Sequence, residues 1–272
     1  MKSKAWYILI NILFLIFLFW YVLPIYVMVI TSLKTPLEIT QRTYLFLGGA
    51  PHFENYLQAF KLSYKSLINS SIITVVATAV STFLGGLGGY FLSRFKWRIS
   101  KPLFVLIVIG MFIPYQAVLI PLVQLMAATK LALTYAGLIF SYIILNVPTA
   151  ATLMGTFFFS IPKELEESAE VDGASKTQIF FRIITPVAAP AYISTAIMIF
   201  TQIWNEFLVA LTLSTPYTMP ITVKLAEIKG SYVALYNLQM AATLISSLIP
   251  LLFFLLLQKY FIRGALAGAL KG

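Results

Sequence analysis

Carboxylates are the first candidates for chemistry in this sequence, and only nine occur among its 272 residues. Five of them fall within residues 160–186, here named the acidic segment; they are Glu164, Glu166, Glu167, Glu170 and Asp172. Two carboxylates held together in a cleft could act as a general acid and a general base. These five instead crowd one short polar stretch between apolar runs, which is more typical of a solvated surface than of a catalytic pair.

No motif of a soluble enzyme accompanies these acids. The sequence contains neither G-x-x-x-x-G-K-[ST] nor any Gly-Lys dipeptide, so we expect no ATP-binding P-loop, and it lacks H-E-x-x-H and G-x-S-x-G as well. It has no cysteine and a single histidine, His52, which excludes disulfides and metal sites built from thiolates or several histidines. We therefore predict that the chain is not itself an enzyme and binds no cofactor.

The composition indicates an integral membrane protein. Hydrophobic residues make up 60% of the chain and charged residues 10%, whereas about a quarter of a soluble domain is charged. About 20 apolar residues suffice to span a bilayer. Six runs reach that length, at about 6–30, 68–91, 103–126, 135–159, 190–213 and 238–257. The sequence thus predicts an all-α fold of six transmembrane helices that forms one domain over residues 1–272.

A further carboxylate, Glu206, lies inside the fifth apolar run. An ionisable residue within a membrane span is costly and is a functional candidate by default. At about 1.5 Å per residue, Glu206 lies roughly 24 Å from a span start near Pro190, which is nearer the outer interface than the midplane. It could equally reach interfacial water or pair with a partner subunit. Our candidates for a polar path through the membrane are Tyr115, Gln116, Gln202, Asn205 and Glu206, although most such residues simply hydrogen-bond across helices.

Basic residues set the expected orientation. Six spans put both termini on one face, which also holds the acidic segment and the larger share of the 19 basic residues, including a cluster at residues 94–101. The positive-inside rule therefore places both termini and the acidic segment in the cytoplasm. The same bias accounts for the net charge of +10, and we expect no nucleic-acid partner because no basic patch with interleaved aromatic residues occurs.

The acidic segment is predicted to form two short helices with a bend between them. Pro162 suits the first turn of a helix, and the glutamates after it suit the positive end of the helix dipole. Gly173 can adopt the left-handed conformation that ends a helix, and Ser175 with Gln178 has capping-box spacing for a second helix. Pro186, near the end of the segment, is predicted to interrupt or kink the helix beyond it.

One face of the first short helix could dock onto another protein. Leu165 and Ala169 lie four residues apart and share a face, with the small Ser168 beside them. An exposed helix with a small, partly apolar face suits a groove on a partner. An ordinary polar loop between two spans is an equally open interpretation of the spacing alone.

The acidic segment resembles the coupling-loop signature of permease subunits of binding-protein-dependent ABC importers, E-A-A-x-x-x-G followed by I-x-L-P. In this sequence the signature reads Glu167-Ser168-Ala169, Gly173, and then Ile183-Ile184-Thr185-Pro186. Ser168 replaces the middle alanine and Thr185 the leucine, but the spacings are intact. TSLKTPLEI at 31–39, FENY at 53–56, LSRFKW at 92–97 and WNEF at 204–207 are similar to carbohydrate permeases of the maltose-G type, so the resemblance covers nearly the whole chain.

This resemblance implies the type I ABC importer permease fold and a plasma-membrane complex in a bacterium or archaeon. Its other members would be a second permease subunit, two ATPase subunits that bind ATP and Mg²⁺, and an extracytoplasmic solute-binding protein, which the loops at 33–67 and 214–236 would meet. The acidic segment would form a cytoplasmic coupling helix between spans four and five. The residues that would couple it to the ATPase are Glu164, Glu167, Ser168, Ala169, Asp172, Gly173 and Pro186.

The resemblance predicts half of a pore for a sugar or oligosaccharide, and it leaves other functions open. The nearest alternative is an ABC permease for a non-sugar solute such as a polyol, glycerol phosphate or a polyamine. A stand-alone secondary transporter is disfavoured because the six spans contain no evident inverted repeat and no ion-pair network at the midplane. An intramembrane enzyme is disfavoured because no nucleophile–base or metal constellation lies at depth.

Overall fold

The computed structural model describes residues 4–41, 45–95, 98–230 and 235–269. Every regular element in these ranges is helical. The α-helices in chain order are α1 Lys4–Ser32, α2 Pro36–Thr40, α3 Glu54–Arg94, α4 Ser100–Gly110, α5 Leu119–Ala128, α6 Tyr135–Ser160, α7 Glu164–Val171, α8 Lys176–Gln178, α9 Thr185–Val187, α10 Ala189–Trp204, α11 Leu208–Leu213, α12 Ile221–Lys229 and α13 Tyr236–Ala269. A 3-10 helix, Tyr115–Val118, precedes α5, and a π-helix, Ile179–Ile184, connects α8 to α9. Residues 96–97 of the predicted basic cluster and 231–234 of the predicted outer loop lie outside the described residues.

The described helices fit a membrane protein by length and composition. Four of them are long and apolar enough to cross a bilayer; they contain Trp6–Ser32, Glu54–Arg94, Tyr135–Ser160 and Tyr236–Lys259. Two further pairs of helices pass the same test together, although each pair is bent, by 96° between Ser100–Gly110 and Tyr115–Ala128 and by 73° between Lys176–Val187 and Ala189–Trp204. Counting each bent pair as one span gives the predicted number of six.

Helix α3 is 41 residues long and begins within the connection predicted at 33–67. Residues 54–67 are therefore helical rather than part of a polar loop. Some of their polar side chains are buried, whereas Gln58, Lys61 and Lys65 are exposed. The buried Ser63 donates a hydrogen bond to the Ala59 carbonyl at 2.7 Å. No proline or glycine interrupts the chain between Glu54 and Gly85, so nothing local ends the helix there.

Two of the predicted spans contain breaks. Residues 111–114 separate α4 from the 3-10 helix, and residues 205–207 separate α10 from α11, so 190–213 is not one continuous helix. The helix predicted to start at Pro162 begins at Glu164 instead. Pro186 and Pro190 stand in the first turns of α9 and α10, where the missing N–H forfeits no helical hydrogen bond. The kink predicted after Pro186 accordingly falls between α9 and α10.

Glycines bring α3 and α6 into backbone contact. A Cβ added at Gly85 would lie 2.2 Å from the Cβ of Ala150, and one added at Gly89 would lie 2.7 Å from the carbonyl oxygen of Ala151. The small-xxx-small packing predicted from these two glycines is confirmed. It brings α3 and α6 close together where α3 approaches the acidic segment.

Contacts between Cα atoms divide the chain into two compact units, residues 1–67 with 223–249, and residues 68–222 with 250–272. The second unit holds the acidic segment. Its core there consists of buried apolar side chains from α3, α6 and the π-helix, among them Tyr90, Phe158, Ile179, Phe180 and Ile184. The organisation of residues 1–272 as one domain stays a prediction.

In the first unit, a polar network ties the end of α1 to the start of α3. The amide of Asn55 donates to the carbonyl oxygens of Ser32 and Lys34, both at 2.9 Å, and accepts from the amide of Asn237 at 3.1 Å. Thr35 caps α2 in a reciprocal box with Glu38. Residues of the TSLKTPLEI and FENY segments thus have a structural role, because their hydrogen bonds join the end of α1 to the start of α3 and cap α2.

Candidate functional site

The first short helix of the acidic segment, α7, ends in a Schellman motif. Gly173 has φ +84°, and its N–H donates to the Glu170 carbonyl at 3.0 Å while the Ala174 N–H donates to the Ala169 carbonyl at 2.9 Å. Those two bonds satisfy carbonyls that the helix would otherwise leave unpaired. The left-handed conformation predicted for Gly173 is confirmed.

The second short helix starts with the predicted capping box. The Ser175 hydroxyl accepts from the Gln178 N–H at 3.3 Å, and the Gln178 side chain accepts from the Ser175 N–H at 2.8 Å. Lys176 forms an ion pair with Glu170 across the turn. Both ends of the bend are therefore fixed by local hydrogen bonds, which makes the acidic segment a defined element rather than a loose loop.

A buried ion pair, the Arg94–Glu166 anchor, holds α7 against the end of α3. Arg94 Nε lies 2.6 Å from Glu166 Oε1, and the two side chains are only 6% and 11% exposed. The Tyr90 hydroxyl donates to Glu166 Oε2 at 2.8 Å, and Arg94 Nη2 donates to the Ile161 carbonyl at 2.7 Å. Both carboxylate oxygens are thus engaged by α3, which is the condition under which a buried charge pair is tolerated.

The anchor divides α7 into an inner and an outer face. Ala169 is 8% exposed and belongs to the same core as Tyr90 and Phe158. It therefore packs inward, because the helix turns its smallest side chain toward the core. The exposed docking face that the sequence suggested for Leu165 and Ala169 together does not include Ala169. The outer face includes Leu165, 40% exposed, and Val171, 88% exposed. The other residues predicted to couple are all exposed; they are Glu164, Glu167, Ser168, Asp172, Gly173 and Pro186.

Sequence reasoning missed the anchor and Val171. Glu166 appeared only as one acid among five, and Arg94 as one member of a basic cluster. Nothing in the spacing of either segment indicates that these two side chains meet. Val171 could have been found, because an apolar residue directly before the turn at Gly173 has few neighbours to cover it.

The second candidate site is a cavity of about 610 Å³ within the second unit, here named the polar cavity. Four of the predicted pore residues line it, namely Tyr115, Gln202, Asn205 and Glu206. Gln116 is exposed and is not among the lining residues. Tyr142, Asn146 and Thr149 of α6 add to its polar lining, and none of the three was among the predicted pore residues.

Glu206 acts as a cap at the break between α10 and α11. Its carboxylate accepts hydrogen bonds from the N–H groups of Val209 at 3.0 Å and Ala210 at 3.1 Å, and from the Tyr142 hydroxyl at 2.9 Å. The Thr222 hydroxyl donates to the Glu206 carbonyl at 2.8 Å. Three of its roughly four lone-pair positions are occupied, so this carboxylate organises the cavity wall more than it offers free acceptors. In the described ranges no group of three or more His, Cys, Asp or Glu residues could hold a metal ion.

Known proteins share this architecture. Residues 82–266 match the model of a protein family described as binding-protein-dependent transport system inner membrane component. Over its full length the chain is 38% identical to the glucose import system permease protein of Saccharolobus solfataricus, of which it covers 96%. It is 29% identical to the arabinooligosaccharides transport system permease protein of Bacillus subtilis, with 100% of this chain and 98% of that relative covered.

A solved structure confirms the fold. The chain matches one chain of a bacterial ABC transporter involved in the import of the acidic polysaccharide alginate, with a TM-score of 0.82 and 23% identity over 96% of this chain and 99% of that chain. The predicted type I ABC importer permease fold is therefore correct. The chain belongs to the family of binding-protein-dependent transport system inner membrane components, the permease subunits of ABC importers.

Proposed function

We propose that this chain forms half of the translocation pore of an ATP-driven importer for a sugar or oligosaccharide. Its membership in the permease family and its similarity to relatives named for glucose import and arabinooligosaccharide transport support a carbohydrate substrate. A second permease subunit would form the other half of the pore. Two ATPase subunits would bind ATP and Mg²⁺ and carry out hydrolysis, and an extracytoplasmic protein would deliver the sugar.

The observation that carries the coupling role is the outer face of α7. It presents Leu165, Ser168, Val171 and Asp172 to solvent, on a helix whose opposite face is held by the Arg94–Glu166 anchor. A rigid helix with a mixed apolar and polar face suits a groove on an ATPase subunit. Allosteric coupling requires an element that both sites bias, and α7 would be that element.

The expected orientation follows from charge. With the acidic segment and both termini in the cytoplasm, residues 33–53 and 214–236 would face outward, where the binding protein docks. The chain would reside in the plasma membrane of a bacterium or archaeon, surrounded by lipid and by the second permease subunit. When the ATPase pair closes on ATP, the docked α7 would move with it and switch the pore to its outward-facing state.

A crosslink tests the coupling role, since the chain has no cysteine of its own. Ser168→Cys places a thiol on the outer face of α7, and Ala169→Cys is the matched control because its side chain is buried. We expect Ser168→Cys to crosslink to a co-expressed ATPase subunit in a nucleotide-dependent manner and Ala169→Cys not to crosslink. If a transporting complex gives no Ser168→Cys crosslink with or without ATP, the coupling role is refuted.

Uptake tests the substrate class. The complete complex, reconstituted in proteoliposomes with internal ATP, is offered radiolabelled D-glucose, arabinotriose, glycerol 3-phosphate and putrescine in separate assays. We expect uptake of a sugar that depends on ATP and on the binding protein. Uptake of glycerol 3-phosphate or putrescine alone would show that the substrate is a charged solute and not a sugar. Uptake driven by an ion gradient without ATP would refute the proposal of an ATP-driven importer.

A further inference from the structure

Two breaks in the spans of the second unit, at residues 111–114 and 205–207, border the polar cavity. Residues 110–115, which include the break after α4, line one side of it, and Asn205 and Glu206 from the break after α10 line another. Irregular backbone at membrane depth is tolerated where it is buried in protein or lines a water-filled cavity. Broken spans that meet at one cavity are also how transporters build solute sites.

Amide side chains supply the free hydrogen-bonding groups of this cavity. Gln202 is exposed and forms no side-chain hydrogen bond with any described residue, while Asn205 uses only its amide nitrogen, on the Thr201 carbonyl at 2.8 Å. Asn146 likewise donates to the Tyr142 carbonyl at 2.8 Å, which leaves its oxygen unused. An amide offers donors and an acceptor together, and so does a hydroxyl group, so the two pair well.

The charge of the lining argues against an anionic solute, and the hydrogen bonds that its one carboxylate already accepts argue against a cationic one. Glu206 is the one charged residue among the described residues that line the cavity, and three donors already engage its carboxylate. An anion such as a phosphate would find no Lys or Arg there and would meet this carboxylate instead. A cation such as a polyamine would have to compete with the two N–H groups and the phenol for the same oxygens.

Apolar side chains form much of the remaining lining, and the volume suits a small molecule. Phe112, Ile113 and Ile144 belong to the cavity wall, beside the amides. Pockets for small molecules are about 300–1,000 Å³ in volume and combine an apolar wall with a few placed polar groups; the polar cavity, at about 610 Å³, falls within that range. Such a lining can contact both the C–H and the hydroxyl faces of a sugar ring.

We propose that the polar cavity is a subsite for an uncharged, hydroxyl-rich solute, held by the amides of Gln202, Asn205 and Asn146. The inference rests on the proposed function for its substrate, a sugar, and adds that this subunit contacts the sugar directly. Glu206 and Tyr142 act as positioning residues in this site, because they fix the break at 205–207 from which Asn205 projects. Gln116 contacts the Tyr115 side chain but does not itself line the cavity.

Protection of single cysteines from labelling tests the subsite. Gln202→Cys and Asn205→Cys, with Gln116→Cys as the control outside the cavity, are assembled into the full complex in nanodiscs and reacted with a maleimide in the presence of D-glucose, arabinotriose, glycerol 3-phosphate or putrescine. We expect a sugar to slow labelling at 202 and 205 by about threefold when its concentration is about twice its dissociation constant. Labelling at 116 should not change.

The outcomes separate the subsite from the proposed function, because sugar uptake is measured on the wild-type complex, in which both amides are present. If the complex imports a sugar that protects neither 202 nor 205, the subsite is overturned and the proposed function stands. Protection by glycerol 3-phosphate or putrescine overturns the uncharged specificity, and equal protection at 116 overturns the location. If no sugar is imported and none protects, both proposals fail.

Discussion

Arg94 and Glu166 form a buried ion pair, 2.6 Å between Nε and Oε1, that joins the end of α3 to the first turn of α7. Arg94 also binds the Ile161 carbonyl at the beginning of the acidic segment. Helix α7 is connected through the chain to α6 and α10, and the anchor adds α3 as a third attachment. A displacement of α7 by an ATPase subunit would therefore reach the glycine-packed pair of α3 and α6 directly.

Removing the anchor charge should uncouple transport from hydrolysis. In Glu166→Gln the Arg94 guanidinium loses its buried partner, and breaking such a pair costs about 3–5 kcal/mol. We expect sugar uptake to fall, because α7 is no longer held against α3, while the complex still hydrolyses ATP. The measurement is the number of ATP molecules hydrolysed per sugar imported.

Glu170→Gln is the matched control for this prediction, because Glu170 lies on the same helix, is exposed, pairs with Lys176 rather than with α3, and is not among the predicted coupling residues. It should leave the contact between α7 and α3 intact. If Glu166→Gln transports as efficiently per ATP as the wild type, the anchor does not transmit the motion of α7. A loss of both hydrolysis and assembly would instead identify the anchor as structural only, so complex assembly is measured alongside.

Substitutions at Gly173 should act through the backbone rather than through crowding. Its φ is +84°, and an added Cβ would meet nothing within 4 Å, whereas a left-handed conformation costs an L-residue about 1–2 kcal/mol. We expect Gly173→Ala to lower ATP-coupled uptake without unfolding the membrane domain. Gly173→Asn and Gly173→Asp, whose side chains tolerate this conformation, should retain more activity. Equal activity in all three variants and the wild type would exclude a role for the turn.

Glu206→Gln should lower the stability of the complex more than a surface change does. One carboxylate oxygen would become an amide nitrogen facing N–H donors, and leaving a buried donor unsatisfied costs about 1–3 kcal/mol. We expect a lower thermal midpoint in detergent, with Tyr142→Phe giving a smaller decrease because it removes a single donor. Glu227→Gln, on exposed α12 surface, is the control. An unchanged midpoint for Glu206→Gln would contradict the capping role.

The contribution of Glu38 to stability should depend on pH. The Thr35 backbone N–H, and then the Thr35 hydroxyl, lower the pKa of the Glu38 carboxyl below its ordinary value of 4.5. A lowered pKa in the folded state means that the contribution is fully present above about 4.5 and is lost as pH falls through the folded-state pKa. The thermal midpoint of Glu38→Gln should therefore lie below that of the wild type at pH 7, and the difference should shrink below pH 4.5. A difference independent of pH would exclude the ionised carboxylate as its source.

The parts of the acidic segment that sequence could predict are those set by neighbouring residues. The turn at Gly173 and the capping box of Ser175 and Gln178 involve partners within five residues, so spacing alone identifies them. The Arg94–Glu166 and Tyr142–Glu206 contacts join side chains far apart in the chain, and no local pattern encodes such a meeting. The inward position of Ala169 follows from the anchor, and it was missed for the same reason.

In the membrane helices, too, the sequence predicted some features and not others. Hydropathy located the six apolar runs, because burial in lipid requires a long apolar stretch. It did not locate the start of α3. Buried hydroxyl groups such as that of Ser63 donate hydrogen bonds to the helix backbone, but a hydropathy scale counts these residues as polar. The break at 205–207 was also hidden, since hydropathy is insensitive to the direction of the backbone, whereas Pro114 marks the break at 111–114 in the sequence.

The glycine contact between α3 and α6 sets unequal mutational tolerance within a single short motif. In GGLGGY, a methyl group at Gly85 or Gly89 would collide with Ala150 or with the backbone at Ala151, whereas one at Gly88 would make an ordinary 3.9 Å contact with the Ala151 Cβ. Of these three glycines, only Gly88 is free to vary. In a library randomised at the three positions and selected for sugar uptake, alanine should be recovered at 88 and excluded at 85 and 89.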